Sequence, residues 1–134
     1  MNNKMQIAVV IPCYRVRDSI IGVIEATTGV ADRVICVDDA CPDGSGQLVI
    51  DHDFGPVVQV IFNTENLGVG GAVKAGYRAA LEAGCEVVVK LDGDGQMDPA
   101  QIPRLVNSVL KGESDYCKGN RFHDLDYLRG MPAM

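Results

Sequence analysis

Short apolar runs alternate with longer amphipathic stretches along the chain, and this pattern predicts strands that alternate with helices. The predicted strands span residues 7–11, 33–37, 57–62 and 86–91, with residues 114–122 as a candidate fifth strand. The predicted helices span residues 47–53 and 72–83, with two more running from Asp18 or Ser19 to about residue 28 and from Pro99 to residue 112. This order is typical of a Rossmann-like α/β fold, a mostly parallel sheet with helices on both faces.

Polar loops follow four of the predicted strands. They cover residues 12–15, 38–46, 63–71 and 92–98. In open parallel sheets, ligands bind outside the carboxyl ends of the strands. We therefore expect the four loops to line one crevice, and this crevice is the first place to look for chemistry.

The sharpest change from apolar to polar residues lies between residues 87 and 99, where VVVKL is followed by DGDGQMDP. Gly93 and Gly95 permit a tight turn in which the carboxylates of Asp92 and Asp94 converge. Two such charges about 4 Å apart repel by roughly 4 kcal/mol at an effective dielectric constant near 20, so a cation should offset them. Oxygen ligands without a Cys or His cluster suit Mg²⁺ or Mn²⁺ shared with substrate phosphates.

Other interpretations of this acidic motif do not predict a metal and phosphate site. The motif is also compatible with a solvated turn, or with a helix start in which only Asp98 matters, because Asp98 precedes Pro99 in the order typical of helix N-termini. An EF-hand is excluded because Met97 and Pro103 stand where that loop needs Gly and Glu. The place of the motif at the end of a buried strand favours a metal and phosphate site.

The composition is that of one globular domain of 134 residues, with 47% hydrophobic and 22% charged residues. A net charge of −6 with scattered Lys and Arg argues against nucleic-acid binding. Five cysteines, mostly inside or beside apolar strand patterns, predict reduced thiols in the cytoplasm. We expect neither a signal peptide nor a membrane span in these residues, since no stretch approaches 18 apolar residues.

The glycine-rich segment NLGVGGAVKAG, residues 66–76, matches neither common phosphate-binding motif. A Walker A motif needs Gly before Lys74 and Ser or Thr after it, and the sequence has Val73 and Ala75 there. A dinucleotide fingerprint would have a third glycine at position 73 and would follow the first strand. The segment is expected to begin a helix whose N-terminus either faces phosphate or packs closely. His52 and His123 have no nucleophile at a recognisable spacing and are interpreted as structural or solvent-exposed.

Five ordered motifs resemble family 2 glycosyltransferases of the GT-A nucleotide-diphospho-sugar transferase fold, and among these the dolichyl or polyprenyl phosphate mannosyl and glucosyl transferases. The resemblance covers nearly the whole chain. The motifs are VVIPCYR (9–15), VDDACPDGS (37–45), NLGVGGAVKAGY (66–77), KLDGDGQMDP (90–99) and KGNRF (118–122). Each motif alone is weakly specific, whereas five in the same order are a strong signal.

The resemblance implies a nucleotide site on the first two strand ends. Pro12 and Tyr14 match residues that line the nucleotide. Asp39 matches the residue that hydrogen-bonds the base, with Val37 packed beside it. One departure concerns Val16, because family members often have Glu at this position, and the nucleotide contact made there is not expected in this chain.

The resemblance also implies roles around the acidic motif. Asp92 and Gly93 match contacts to the ribose and the diphosphate. Asp94 and Gln96 match ligands of a divalent metal, Mg²⁺ or Mn²⁺. Arg121 matches a basic residue near the sugar diphosphate or the acceptor phosphate, so Asp94 and Arg121 are the expected catalytic residues.

The function that this resemblance implies is a metal-dependent, inverting sugar transfer. The donor would be a nucleoside diphosphate sugar of the GDP-mannose or UDP-glucose type, and the acceptor polyprenyl or dolichyl phosphate. Residues 1–134 are then expected to form the N-terminal nucleotide-sugar-binding part of a truncated GT-A domain. The expected location is the cytoplasm, at the inner face of the membrane, with membrane association through a missing C-terminal part.

Two alternatives to this function remain open from the sequence. One is a haloacid dehalogenase-like phosphotransferase, with Asp92 as nucleophile and Asp94 as acid or base, although that motif normally lies near the chain start and continues with Thr or Val where this chain has Gln96. The other is a fragment that binds nucleotide and metal without turnover.

Overall fold

Strands and helices alternate through the chain in a computed structural model that describes residues 6–95, 98–110, 116–118 and 125–129. The strands are β1 (Ile7–Cys13), β2 (Arg33–Asp38), β3 (Val58–Phe62), β4 (Val87–Leu91), β5 (Tyr116–Lys118) and β6 (Leu125–Arg129). The helices are α1 (Ile20–Thr28), α2 (Ser45–His52), α3 (Gly68–Glu82) and α4 (Ile102–Leu110), and a 3₁₀ turn (Pro99–Gln101) leads into α4. In this part of the chain, no helix is long and apolar enough to cross a bilayer.

The six strands form one sheet in the order β3-β2-β1-β4-β6-β5. Strands β1 to β4 are parallel, whereas β6 runs antiparallel to both β4 and β5. The predicted mostly parallel, Rossmann-like sheet is therefore confirmed. The strand β5 lies within the candidate fifth strand, but the sequence pattern does not predict β6, because LDYLR is short and carries two charges among five residues.

Helices cover both faces of the sheet, as predicted. Alternate residues of β1 belong to two different core clusters, with Val9 and Ile11 in one and Ala8 and Val10 in the other. The first cluster includes residues of α1, α2 and α4, and the second includes residues of α3. Strands buried on both faces explain why their sequences read as continuous apolar runs.

Helix α3 packs closely against the sheet because small residues form its inner face. Ala72 and Ala80 are fully buried there, and Gly76 lies between them along the helix. A Cβ atom placed on Gly76 would overlap the side chain of Val10 in β1. This packing brings the beginning of α3 to the carboxyl ends of the central strands.

We expect Gly76→Ala to lower the free energy of unfolding by about 1 to 3 kcal/mol, because the added methyl group overpacks the contact with Val10. Gly70→Ala in the same helix is the matched control. Its Cβ would meet nothing within 4 Å, so the change should be neutral or stabilising by up to about 1 kcal/mol. Urea unfolding curves of the two variants would measure the difference, and equal stabilities would contradict the proposed contact.

Candidate functional site

The loops after the parallel strands meet at the carboxyl edge of the sheet. A cavity of about 110 Å³ lies at the point where the loops after β1, β2 and β3 come together. Its lining residues are Pro12, Cys13, Tyr14, Asp39, Asn66, Gly68 and Ala72. Three of the residues proposed from sequence for the nucleotide, Pro12, Tyr14 and Asp39, therefore share one cavity.

Asp39 ties the loop after β3 to the end of β2. Its side chain is only 4% exposed. Oδ1 accepts hydrogen bonds from Asn63 Nδ2 (2.9 Å) and the Leu67 N–H (2.8 Å), and Oδ2 accepts one from the Gly68 N–H (2.8 Å). Burial raises the pKa of Asp39, but these three bonds outweigh it and lower the pKa below its ordinary value. The carboxylate is therefore held in its charged form.

The same carboxylate determines where α3 begins. The helix starts at Gly68, four residues before the predicted position, because Asp39 accepts from the N–H groups of Leu67 and Gly68 that a helix start leaves without partners. Gly68 has a φ of +80°, which favours glycine at this position. These two N–H groups therefore donate to a carboxylate of the protein itself. The expectation that this helix N-terminus faces phosphate stays a prediction.

Asp38 performs a similar task one residue earlier. It is buried, and its carboxylate accepts hydrogen bonds from the backbone N–H groups of Cys41 (2.7 Å) and Gly46 (2.9 Å). A Cβ on Gly46 would lie 2.9 Å from Phe62 Cε1 and closer still to Asp38, so only glycine fits there. Val37, proposed to pack beside the base, is fully buried in the same core cluster as Ala72, which lines the cavity.

The loop after β1 is joined to the loop after β2 by three hydrogen bonds from backbone N–H groups and by one from the Arg17 side chain to the Asp43 carbonyl oxygen. The N–H groups of one loop donate to side chains of the other: Arg15 to Cys41 Sγ (3.0 Å), Val16 to Ser45 Oγ (3.2 Å) and Arg17 to Asp43 Oδ2 (3.2 Å). Arg15 has a φ of +58°, an uncommon conformation for a residue other than glycine. The Val16 side chain packs against the core. An apolar residue therefore suits this position, where family members often have Glu.

Hydrogen bonds give Asp43 a pKa well below the ordinary value of an aspartate. Burial raises its pKa, but hydrogen bonds from the Cys41 thiol, the Ser45 hydroxyl, and the backbone N–H groups of Arg17 and Ser45 lower it to about 2. The bond from the Ser45 N–H, 3.1 Å long, also places this carboxylate at the beginning of α2. Asp43 therefore stabilises both loops as an anion.

The acidic turn after β4 is attached to α1. The carbonyl oxygen of the buried Gly93 accepts a hydrogen bond of 2.6 Å from Ser19 Oγ. A Cβ on Gly93 would lie 3.1 Å from Ile20 Cδ1 and 3.2 Å from Val16 Cγ2, so the turn has little space for a larger residue. Ser19 is the N-cap residue of α1 as expected, but its hydroxyl holds the turn and makes no cap hydrogen bond.

The charges of the turn follow β4, which lies next to β1, and Asp92 and Asp94 are not among the described residues that line the cavity of Pro12 and Tyr14. Lys90 Nζ is 3.1 Å from Asp92 Oδ1, and Asp94 is exposed. Asp98 accepts a hydrogen bond of 3.0 Å from the Ala100 N–H, so the helix-start interpretation is confirmed for Asp98 alone.

A divalent metal fits the chemistry of this turn. Within residues 6–95 and 98–110, no three or more His, Cys, Asp or Glu side chains come together as a metal cluster. A metal of the Mg²⁺ type nevertheless needs only one or two carboxylates when phosphates supply other ligands, and Asp92 and Asp94 provide such oxygens. Two residues proposed from sequence, Gln96 and Arg121, lie outside the described residues.

Several residues that build the site have no role of their own in the sequence predictions. Asn63 and Asn66 belong to this group, and so does Lys90, which pairs with Asp92. The asparagines stand where a strand ends and a helix begins, which is a weak signal for loop-fixing side chains. No sequence signal identifies the pairing of Lys90, because it depends on which face of β4 the side chain occupies.

The sheet order and the polar crevice at its carboxyl edge define a domain of the GT-A glycosyltransferase type. The family model described as glycosyl transferase family 2 matches residues 8–132, and the chain belongs to this family. The family expected from the five motifs is thereby confirmed.

Similar curated proteins include polyprenyl-phosphate sugar transferases. The undecaprenyl-phosphate mannosyltransferase of Micrococcus luteus is 38% identical over 109 residues, which is 78% of this chain and 44% of the relative. The polyprenol monophosphomannose synthase of Mycolicibacterium smegmatis is 30% identical, over 92% of this chain and 48% of the relative. The chain therefore spans about half the length of the curated relatives that it matches.

Solved structures share the fold. The mannosyltransferase PcManGT from Pyrobaculum calidifontis, in complex with GDP-Man and Mn²⁺, superposes with a TM-score of 0.71 over 95% of this chain and 45% of its own, at 17% identity. The S. aureus TarS 1–349 structure in complex with UDP gives a TM-score of 0.62 over 84% of this chain and 34% of its own, at 22% identity.

We expect Asp39→Asn to lower the free energy of unfolding by about 1 to 3 kcal/mol, because an amide nitrogen cannot accept the bonds from Leu67 or Gly68. The matched control is Asp51→Asn, at an exposed carboxylate on α2, which should change stability by less than about 0.5 kcal/mol. Chemical unfolding of both variants at pH 7 measures the effect. Equal and small changes would show that Asp39 does not hold the loop.

We expect the stabilising effect of Asp43 to disappear in acid. Because its pKa falls from 3.8 to about 2 on folding, its contribution, roughly 1 kcal/mol after solvent screening, is present above pH 4 and is lost as the pH falls through 2. The difference in unfolding free energy between wild type and Asp43→Asn should therefore narrow as the pH is lowered from 5 to 3. A difference that stays constant over this range would contradict the pKa assignment.

Proposed function

We propose that this chain forms the donor-binding part of a glycosyltransferase that moves a sugar from a nucleoside diphosphate sugar to a polyprenyl-type lipid phosphate, with a divalent metal. The observation that carries the proposal is the common cavity of Pro12, Tyr14 and Asp39 in a chain of glycosyl transferase family 2. The names of the curated relatives support the lipid phosphate as acceptor.

The nucleoside would occupy the cavity at the ends of β1 and β2. Tyr14 is 42% exposed and offers an aromatic face on which a base can stack. A carboxylate has about four acceptor positions, and within the described residues the loop uses three of those on Asp39. The fourth position is the one that we assign to the N–H of a base.

The diphosphate and the metal would lie over the acidic turn. Asp92 and Gly93 are assigned to the ribose and diphosphate, and Asp94 together with Gln96 to the metal. When bound, a divalent cation neutralises the charge that develops on the leaving diphosphate. The chain's own contribution is to hold the turn in place, through the Ser19 hydroxyl and the tight packing around Gly93.

An inverting transfer needs the acceptor oxygen opposite the leaving diphosphate. A lipid phosphate is already an anion, so it needs little help from a general base, and we assign its recognition in part to Arg121. A donor of the GDP-mannose type is favoured over UDP-glucose by the mannosyltransferases among the relatives. The cytoplasmic face of the membrane is the location that such an acceptor implies.

Because the chain spans about half of its relatives' length, we propose that it binds donor and metal by itself and needs additional sequence for turnover. A sugar-transfer assay on this chain and on one extended to the length of the relatives would test this division. Transfer by the longer chain alone is the expected result. Absence of transfer by both, or an aspartyl phosphate on Asp92, would contradict the proposed function and in the second case favour the phosphotransferase.

Asp94→Asn is expected to weaken metal-dependent binding of the nucleoside diphosphate sugar by at least about tenfold, since the change removes a charged metal ligand. The fold should be unaffected because the side chain is exposed. Calorimetric titrations with GDP-mannose and UDP-glucose, each with and without Mn²⁺, would measure the effect. Asp98→Asn is the control in the same loop, since Asn caps a helix as well as Asp does. Unchanged affinity in Asp94→Asn would contradict the metal assignment.

A further inference from the structure

Lys90 is a charged residue in a strand that is otherwise apolar. In β4, Val87, Val89 and Leu91 belong to the core cluster on one face of the sheet and Val88 to the cluster on the other. The alternation of a strand therefore places Lys90 on the face of Val88, which α3 covers. The Lys90 side chain is only 13% exposed, and a largely buried charge is costly unless an opposite charge accompanies it.

The opposite charge belongs to the acidic turn. Lys90 Nζ lies 3.1 Å from Asp92 Oδ1, and the Asp92 side chain is 29% exposed. Asp92 and Asp94 together bring two negative charges, and the ammonium group offsets one of them. The chain therefore supplies part of the positive charge that two neighbouring carboxylates require.

We propose that Lys90 is a positioning residue that makes the binding of the divalent metal depend on the donor nucleotide. The inference rests on the proposed function. The ammonium group repels a metal ion that arrives alone at Asp92 and Asp94, and it attracts a diphosphate. The phosphates then bring the negative charge that offsets Lys90, so metal and nucleotide bind more strongly together than separately.

A purely structural salt bridge would behave differently. If Lys90 only held the turn in shape, its loss would weaken the binding of metal and of nucleotide alike. If it acts through its charge, its loss strengthens the binding of one and weakens the binding of the other. This opposite response distinguishes the two roles.

The test compares three variants of the full chain. Lys90→Met removes the charge but keeps most of the volume, and Lys90→Arg keeps the charge. Arg33→Met is the control, since Arg33 begins β2 and lies roughly 17 Å along the strand from the carboxyl edge, beyond the screening length of about 8 Å in physiological salt. Mn²⁺ binding without nucleotide is measured by electron paramagnetic resonance, and GDP and UDP binding by calorimetry with and without Mn²⁺.

For Lys90→Met we expect Mn²⁺ alone to bind about tenfold more tightly and metal-free nucleoside diphosphate about tenfold more weakly. Lys90→Arg should return both affinities toward those of wild type, and Arg33→Met should leave both within about twofold. Circular dichroism verifies folding, and Lys90→Gln replaces Lys90→Met if the latter does not fold.

Two results would overturn the inference while the proposed function stands. The first is that Lys90→Met binds both Mn²⁺ and nucleotide more weakly. The second is that neither affinity changes in Lys90→Met. In both cases wild type still binds nucleotide and Mn²⁺ together. A wild-type chain that binds neither GDP nor UDP in the presence of Mn²⁺ would instead overturn the proposed function, and the inference with it.

Discussion

Two neighbouring carboxylates at the end of β2 hold the carboxyl edge of this sheet together. Asp38 and Asp39 are both buried. Asp38 accepts hydrogen bonds from N–H groups of the segment that directly follows β2, and Asp39 accepts them from N–H groups of the loop after β3. A buried carboxylate without such partners would cost several kcal/mol. The loops therefore stabilise the charges, and the charges give the loops one conformation. The cavity that contains Pro12 and Tyr14 is a consequence of this mutual requirement.

Much of the fold could be predicted because parallel strands buried on both faces leave a strong sequence pattern. The apolar runs that become β1, β2 and β4 are of this kind. The ends of β1 and β2 contribute Pro12, Tyr14 and Asp39 to one cavity, whereas Asp92 and Asp94 after β4 are not among its lining residues. The beginning of α3 could not be predicted, since the group that caps it, Asp39, is 29 residues away from Gly68. The strand β6 could not be predicted either, because LDYLR is short and carries two charges among five residues.

Part of the candidate site could also be predicted from the sequence, and part could not. Residue types indicated which loops carry the chemistry, and Pro12, Tyr14 and Asp39 do meet at one cavity. What the residue types do not indicate is how much of a polar side chain is used by the protein itself. Asp39 was assigned to a nucleotide, yet most of its hydrogen-bonding capacity supports a loop. The sequence pattern assigns no role to Lys90, and the role proposed here depends on the distance of 3.1 Å between its Nζ atom and Asp92 Oδ1. The roles of Gln96 and Arg121 stay predictions.

The hydrogen bond from Ser19 to the carbonyl oxygen of Gly93 joins residues that are 74 positions apart. A contact of such long sequence separation requires closure of the chain between its two residues, and the pairing of β1 with β4 closes the same length of chain. The conformation of the acidic turn is therefore coupled to the formation of the sheet. A ligand that binds this turn only in the folded chain stabilises the whole domain, by an amount that grows with the ligand concentration relative to its Kd.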